Sequence, residues 1–120
     1  MAKVGFIEHH KIRILSLDVS RSQNAEENVA AFQEAQAIIV TQPPKSVRLL
    51  TDVTQAHYTQ QAVDAMKQFS QAVTPYVRAS ATTGVSGIKK IVLQSLVRLS
   101  GRDIRMFDTR EKAQDWLAGQ

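Results

Sequence analysis

Three observations predict a single α/β domain built on one mostly parallel sheet. The chain has 120 residues, about one domain's worth. Short β-type runs alternate with amphipathic helical stretches, the pattern of parallel strands joined by right-handed crossovers. The first two runs are separated only by Glu8-His9-His10-Lys11, which is hairpin spacing. The expected order is ββαβαβαβα, with a hairpin strand at one edge and about four helices, over residues 1–120.

Val4-Gly5-Phe6-Ile7 reads as the first strand, and Ile12-Arg13-Ile14-Leu15-Ser16-Leu17 as the second, alternating apolar and polar residues. Asp18-Val19-Ser20 ends it. Ser22 or Asn24 then caps a helix whose first turn holds Glu26 and Glu27, acids that complement the helix dipole. Ala25, Val29, Phe32, Ala35 and Ile39 form its apolar stripe, and Pro43-Pro44 stops it. Residues 37–41 also fit a short strand, and the helix is preferred there. Val47-Arg48-Leu49-Leu50-Thr51-Asp52-Val53 is the next strand. A helix near Thr59 follows, with Ala62, Met66, Phe69 and Val73 on one face, and Pro75 breaks it.

Residues 76–82 form another strand, and Thr83-Gly84-Val85-Ser86-Gly87 turns the chain into the most apolar helix, residues 88–99. Ser100-Gly101 ends that helix. Ile104-Arg105-Met106-Phe107 is the last strand. Asp108-Thr109-Arg110-Glu111 reads as a capping box with Asp108 as the cap, opening a helix that carries Ala113, Trp116 and Leu117.

Composition removes several classes. A hydrophobic fraction of 43% with 22% charged residues excludes an extended disordered chain. The absence of cysteine excludes disulfide scaffolds, thiolate catalysis and the common zinc-finger frameworks. The N-terminal stretch lacks the apolar core of a signal peptide, and the longest apolar run, Ala37 to Val40, is far too short to span a bilayer. The expectation is a soluble cytoplasmic protein. The net charge of +4 conceals an uneven distribution: residues 14–40 hold one Arg against four acids, whereas residues 76–105 hold six Lys or Arg against one Asp. A basic half attracts phosphates or anionic head groups. Only Tyr76 interleaves an aromatic ring with those basic residues, which argues against nucleic acid.

The motifs Leu50-Thr51-Asp52-Val53-Thr54, then 75–81 running into Gly84-Val85-Ser86-Gly87, and the tail 107–117 resemble the bacterial SpoIIAA-like family. That family is related to STAS (anti-anti-sigma factor) domains, and its fold resembles CRAL-TRIO domains. The resemblance covers nearly the whole chain in order. It implies a small sheet domain that binds a partner or ligand without performing chemistry. STAS domains carry a phosphorylated Ser, in an Asp-Ser-Ser-Gly-like string, where the helix after the central strand begins. The corresponding stretch here, Asp52-Val53-Thr54-Gln55-Ala56-His57-Tyr58-Thr59, has neither Ser nor Gly. Thr54 is the candidate phospho-switch, with Thr59 as a second position, and either also serves as a helix cap.

Ligands of an open parallel sheet gather outside the carboxyl ends of its strands. Asp18, Asp52 and Asp108 fall there, but the paired acids and the Lys of a receiver-type Mg²⁺ site are missing, so no residue is assigned to a metal and no cofactor is expected. The loop after the fourth strand is the candidate anion site, with Thr83, Gly84, Ser86, Gly87, Lys89 and Lys90 offering backbone N–H groups, a hydroxyl and ammonium groups at a helix start. Close helix–strand packing explains its glycines equally well. On a helical wheel with Val85 at zero, Lys89 falls about 40° away, inside the apolar stripe. There it either snorkels past the sheet edge into water, the preferred reading, or points into the loop's occupant. Leu93 and Val97 widen that stripe beyond what one sheet face requires. His57 near Asp52 lacks an activated nucleophile, and His9-His10 lacks flanking ligands.

The sequence therefore predicts a non-enzymatic regulatory or binding module, acting on a protein partner in the STAS manner. The alternative is a lipid or other anionic amphipathic ligand held by residues 84–90 and the adjacent apolar helix. A hydrolase using Asp52 and His57 ranks third. A homodimer is left open.

Overall fold

The computed structural model describes residues 2–56, 59–85, 94 and 104–120. Five strands, β1 (Lys3–His9), β2 (Ile12–Asp18), β3 (Val47–Asp52), β4 (Val77–Thr83) and β5 (Ile104–Phe107), form one sheet in the order β1-β2-β3-β4-β5. β1 runs antiparallel to β2, and every other neighbouring pair is parallel. Three helices are described: α1 (Ala25–Ile39), α2 (Gln60–Val73) and α3 (Arg110–Ala118). The fourth, expected over 88–99, falls outside the described residues except at 94, which is helical.

The alternation of side chains across the pleat divides the core in two. Leu15, Leu17, Val47, Leu49 and Val77 point to one face, where Phe32, Ala35 and Ile39 of α1 and Met66, Phe69 and Val73 of α2 cover them. Ile14, Leu50, Ala79 and Ala81 point to the other, beneath Ala113 and Leu117 of α3. Successive parallel strands added in chain order with right-handed crossovers place α1 and α2 on the same face. Among the described helices, α3, which follows the last strand, is the one that covers the opposite face. At nine residues it is a short cover.

Local signals account for most boundaries. Asn24, not Ser22, caps α1, its side chain accepting from the Glu27 N–H at 3.1 Å. The stretch 37–41 is not a strand, since α1 continues through Ile39 before the two prolines. Thr59 caps α2 by accepting from the Ala62 N–H, and Ala62, Met66, Phe69 and Val73 are buried. One cap is corrected. Thr109, extended at φ −133° and ψ 156°, accepts from the Lys112 N–H and caps α3, whereas Asp108 stays exposed and reaches Lys112 at 3.9 Å. Asp108 stands one residue too early for its carboxylate to meet the first free amides.

The β1–β2 hairpin closes on two residues, His10 (φ 51°) and Lys11 (φ 66°). Positive φ at both central positions is the sign of a type I′ turn, normally made by Asn-Gly. Substituting Lys11→Gly removes the left-handed strain of a residue with a Cβ, offset partly by greater freedom in the unfolded chain. The expected gain is about 0.5 kcal/mol in chemical denaturation.

Candidate functional site

The carboxyl ends of the parallel strands form a rim in which three loops are bonded to one another. The Val19 N–H donates to the Asp52 carbonyl at 3.0 Å, Arg21 N–H to the Thr54 carbonyl at 2.7 Å, and Val53 N–H to the Thr83 carbonyl at 3.0 Å. The Gln23 side-chain amide adds a bond to the Gln55 carbonyl at 3.1 Å. Arg21 (φ 59°), Gln55 (φ 53°) and Gly84 (φ 81°) all adopt left-handed backbone at this rim. Two of the three carry side chains, so strain is concentrated where the loops meet. Arg21, Gln23 and Gln55 are exposed on its outer side.

Beneath the rim, on the α3 face, lies a compact charge cluster. Register places Asp18 beside Asp52, and Asp52 beside Thr83. Asp52 is buried, and its Oδ1 accepts from both the Thr54 N–H at 3.0 Å and the Thr54 hydroxyl at 2.6 Å. Arg110 reaches down from the first turn of α3, with Nη1 3.3 Å from Asp52 Oδ2 and 4.0 Å from Asp18 Oδ2. Its Nη2 donates to the Ser16 hydroxyl at 3.0 Å. Burial pushes the Asp52 carboxyl upward and is the largest single influence. The Thr54 hydroxyl and amide together with Arg110 outweigh it and hold the group below its ordinary value of 3.8. Where a receiver-type site would place a cation between Asp18 and Asp52, this chain supplies a guanidinium, and Asp108 stands apart from both.

Because α3 is short, an open groove of about 280 Å³ remains beside the cluster, lined among others by Lys3, Gly5, Ile7, Ser16, Asp18 and Arg110.

The residues expected to form a site are distributed unevenly. Thr54 is half-buried at the rim with its hydroxyl bonded to Asp52. Thr59 is a helix cap. Thr83 is buried, and its hydroxyl has no hydrogen-bond partner among the described residues. Gly84 lies directly against Thr54, so close that a Cβ would meet the Thr54 hydroxyl and backbone. Ser86, Gly87, Lys89 and Lys90 lie outside the described residues, as does His57.

Two participants were not singled out in the sequence. Arg110 lies 58 residues from Asp52 and 94 from Ser16, so no spacing links them. One signal was available: an Arg at the first position of a helix opposes the helix dipole, which calls for nearby acids. The other is Asp115, on which the two hairpin histidines converge. His9 Nε2 lies 2.6 Å and His10 Nε2 3.3 Å from its Oδ1.

Five strands in sequential order, with a leading antiparallel edge strand and with α1 and α2 joining β2, β3 and β4, make a fold of the SpoIIAA-like, or STAS-like, class. A solved structure of this class superposes on the chain with a TM-score of 0.77, covering 97% of this chain and 93% of its own at 12% identity. It is an uncharacterised protein of the DUF3478 family with a SpoIIAA-like fold, from Shewanella loihica PV-4. That likeness is one of fold. No protein-family model matches the sequence, and no curated protein matches it either. Among the described residues no helix is long and apolar enough to cross a membrane.

Proposed function

We propose that this domain is a non-enzymatic regulatory module that binds a protein partner through the rim of loops carrying Arg21, Gln23, Thr54 and Gln55. The observation that carries this reading is the saturation of Asp52. The most buried carboxylate near the strand ends already receives two bonds from Thr54 and one ion pair from Arg110. A base held in its charged form by that many donors is poorly suited to accept a proton near neutrality, and a metal would have to displace Arg110. The cluster instead braces the loops from below and fixes the outline that a partner meets.

Thr54 is the proposed switch within that rim. A phosphate on its hydroxyl would replace a hydrogen bond to Asp52 with repulsion between anions, and would lever the β3–α2 loop from its neighbours. The second reading is an anionic amphipathic ligand bound at residues 83–90. The buried Thr83 hydroxyl without a described partner and the left-handed Gly84 beside it favour this reading. Ser86, Gly87, Lys89 and Lys90 would supply the remaining donors.

Native mass spectrometry of the protein isolated from its own host separates the two. The expected result is a complex with a second protein chain that dissociates in the variant Arg21→Glu/Gln55→Arg, whose own stability stays within about 0.5 kcal/mol of wild type. A bound mass of lipid size, lost in Ser86→Ala/Lys89→Ala, would transfer the function to the loop.

A further inference from the structure

Neighbouring residues on a strand point to opposite faces of a sheet, so two consecutive histidines ordinarily diverge. Here they do not. His9 is the last residue of β1 and shares the α3 face with Ile7. His10 is the first residue of the turn, and its φ of 51° breaks the alternation. The rings therefore stand together, with centroids 4.2 Å apart in a T-shaped arrangement. Both Nε2 atoms are directed at the same oxygen of Asp115, which the C-terminal helix α3 brings from 105 to 106 residues away. The three ligand atoms all lie within 4.8 Å of one another.

From this convergence we propose that His9, His10 and Asp115 form a binding site for a borderline divalent transition metal, Zn²⁺ being the representative ion. Two neutral imidazoles and one carboxylate are the donor set such ions take, in three-ligand sites with a fourth position left to water. One carboxylate oxygen cannot satisfy Mg²⁺ or Ca²⁺, which require an oxygen shell. Metal–ligand bonds of about 2.0–2.2 Å require only modest adjustment from the present contacts. The groups concerned are free to move, since His10 is 70% and Asp115 55% exposed at the side chain. His9, at 21%, is the anchored member. The ion would replace a pair of hydrogen bonds with coordination that ties the hairpin tip to α3. It would therefore stabilise the helix that carries Arg110.

The test uses the full chain freed of any purification tag, titrated near pH 7.5 with ZnCl₂, CoCl₂ or MgCl₂. Calorimetry is expected to show one Zn²⁺ or Co²⁺ per chain and no Mg²⁺. Co²⁺ is expected to develop visible absorption, and saturating Zn²⁺ to raise Tm by roughly 5 °C or more. Asp115→Asn weakens binding by at least about tenfold and His9→Gln/His10→Gln abolishes it. His57→Gln, which replaces the remaining histidine of the sequence, leaves it intact. The side chains of His9, His10 and Asp115 lie at the hairpin tip and on the outer side of α3, so circular dichroism of the variants at these positions should match wild type. Absence of saturable Zn²⁺ binding, binding undiminished in the double histidine variant, or one ion shared between two chains would each overturn the proposal.

Discussion

Replacing Gly84 with alanine is expected to destabilise the domain by about 3 kcal/mol, through two costs that act together. At φ 81° an L-residue with a Cβ is strained by about 1–2 kcal/mol. The new methyl would also lie 2.5 Å from both the Thr54 N and Cα, and against its hydroxyl. Those are backbone atoms, and they cannot rotate away as a flexible side chain would. Relief requires the β4 end and the β3–α2 loop to separate, which strains the Val53–Thr83 hydrogen bond and the Thr54–Asp52 pair. Chemical denaturation should show a lower midpoint with an unchanged slope. Gly5→Ala is the matched control, because a Cβ there meets nothing within 4 Å. A Gly84→Ala protein as stable as wild type would mean that the loops do not approach each other as described.

The second large effect concerns Arg110. Its replacement by methionine leaves Asp52, whose side chain is 7% exposed, without its cation. Removing one member of a fully buried pair costs about 3–5 kcal/mol, and because Arg110 is 34% exposed the expectation here is about 2–3 kcal/mol. Asp52→Asn in the same protein should restore more than half of the loss. The amide oxygen still accepts from Thr54, and the buried charge is gone, leaving only the more exposed Asp18 without its cation.

The pH dependence follows from the direction of the Asp52 shift. Its folded-state pKa is lowered, so the stabilisation is complete above the ordinary value of 3.8 and is lost as pH falls from there through the lowered value. In Arg110→Met the carboxyl loses part of what holds it down, and the upward influence of burial is less fully offset. The variant should therefore lose less stability than wild type between about pH 5 and pH 2. An equal acid loss in both proteins would remove Arg110 from the account of Asp52.

What was legible in the sequence was local. The four-three-four spacing of Ala62, Met66, Phe69 and Val73 announced a buried helix face, and those four residues are buried. Ile104–Phe107 is a strand with the bounds the sequence reading gives it. The hairpin spacing located the antiparallel edge. Signals that depend on a one-residue choice were less secure, as the exchange of Asp108 for Thr109 at the α3 cap shows, because Asp and Thr both accept from a free amide. The site was illegible for a different reason. Asp52, Arg110 and Ser16 meet only because α3 folds back across the face opposite α1 and α2, and Asp115 reaches His9 and His10 by the same route. Contacts across more than fifty residues leave no spacing to read. The one local trace was a cation placed at the wrong end of a helix dipole.

The proposed role of the rim is that of a binding surface held from below by the Asp52–Arg110 pair. It is tested most directly by measuring the affinity of the co-isolated protein partner for wild type, Gly5→Ala and Arg21→Glu/Gln55→Arg under identical conditions. The account predicts that Gly5→Ala binds as wild type does and that the rim variant loses at least about tenfold, with all three equally folded. Equal binding by the rim variant would place the partner elsewhere on the domain and contradict the account.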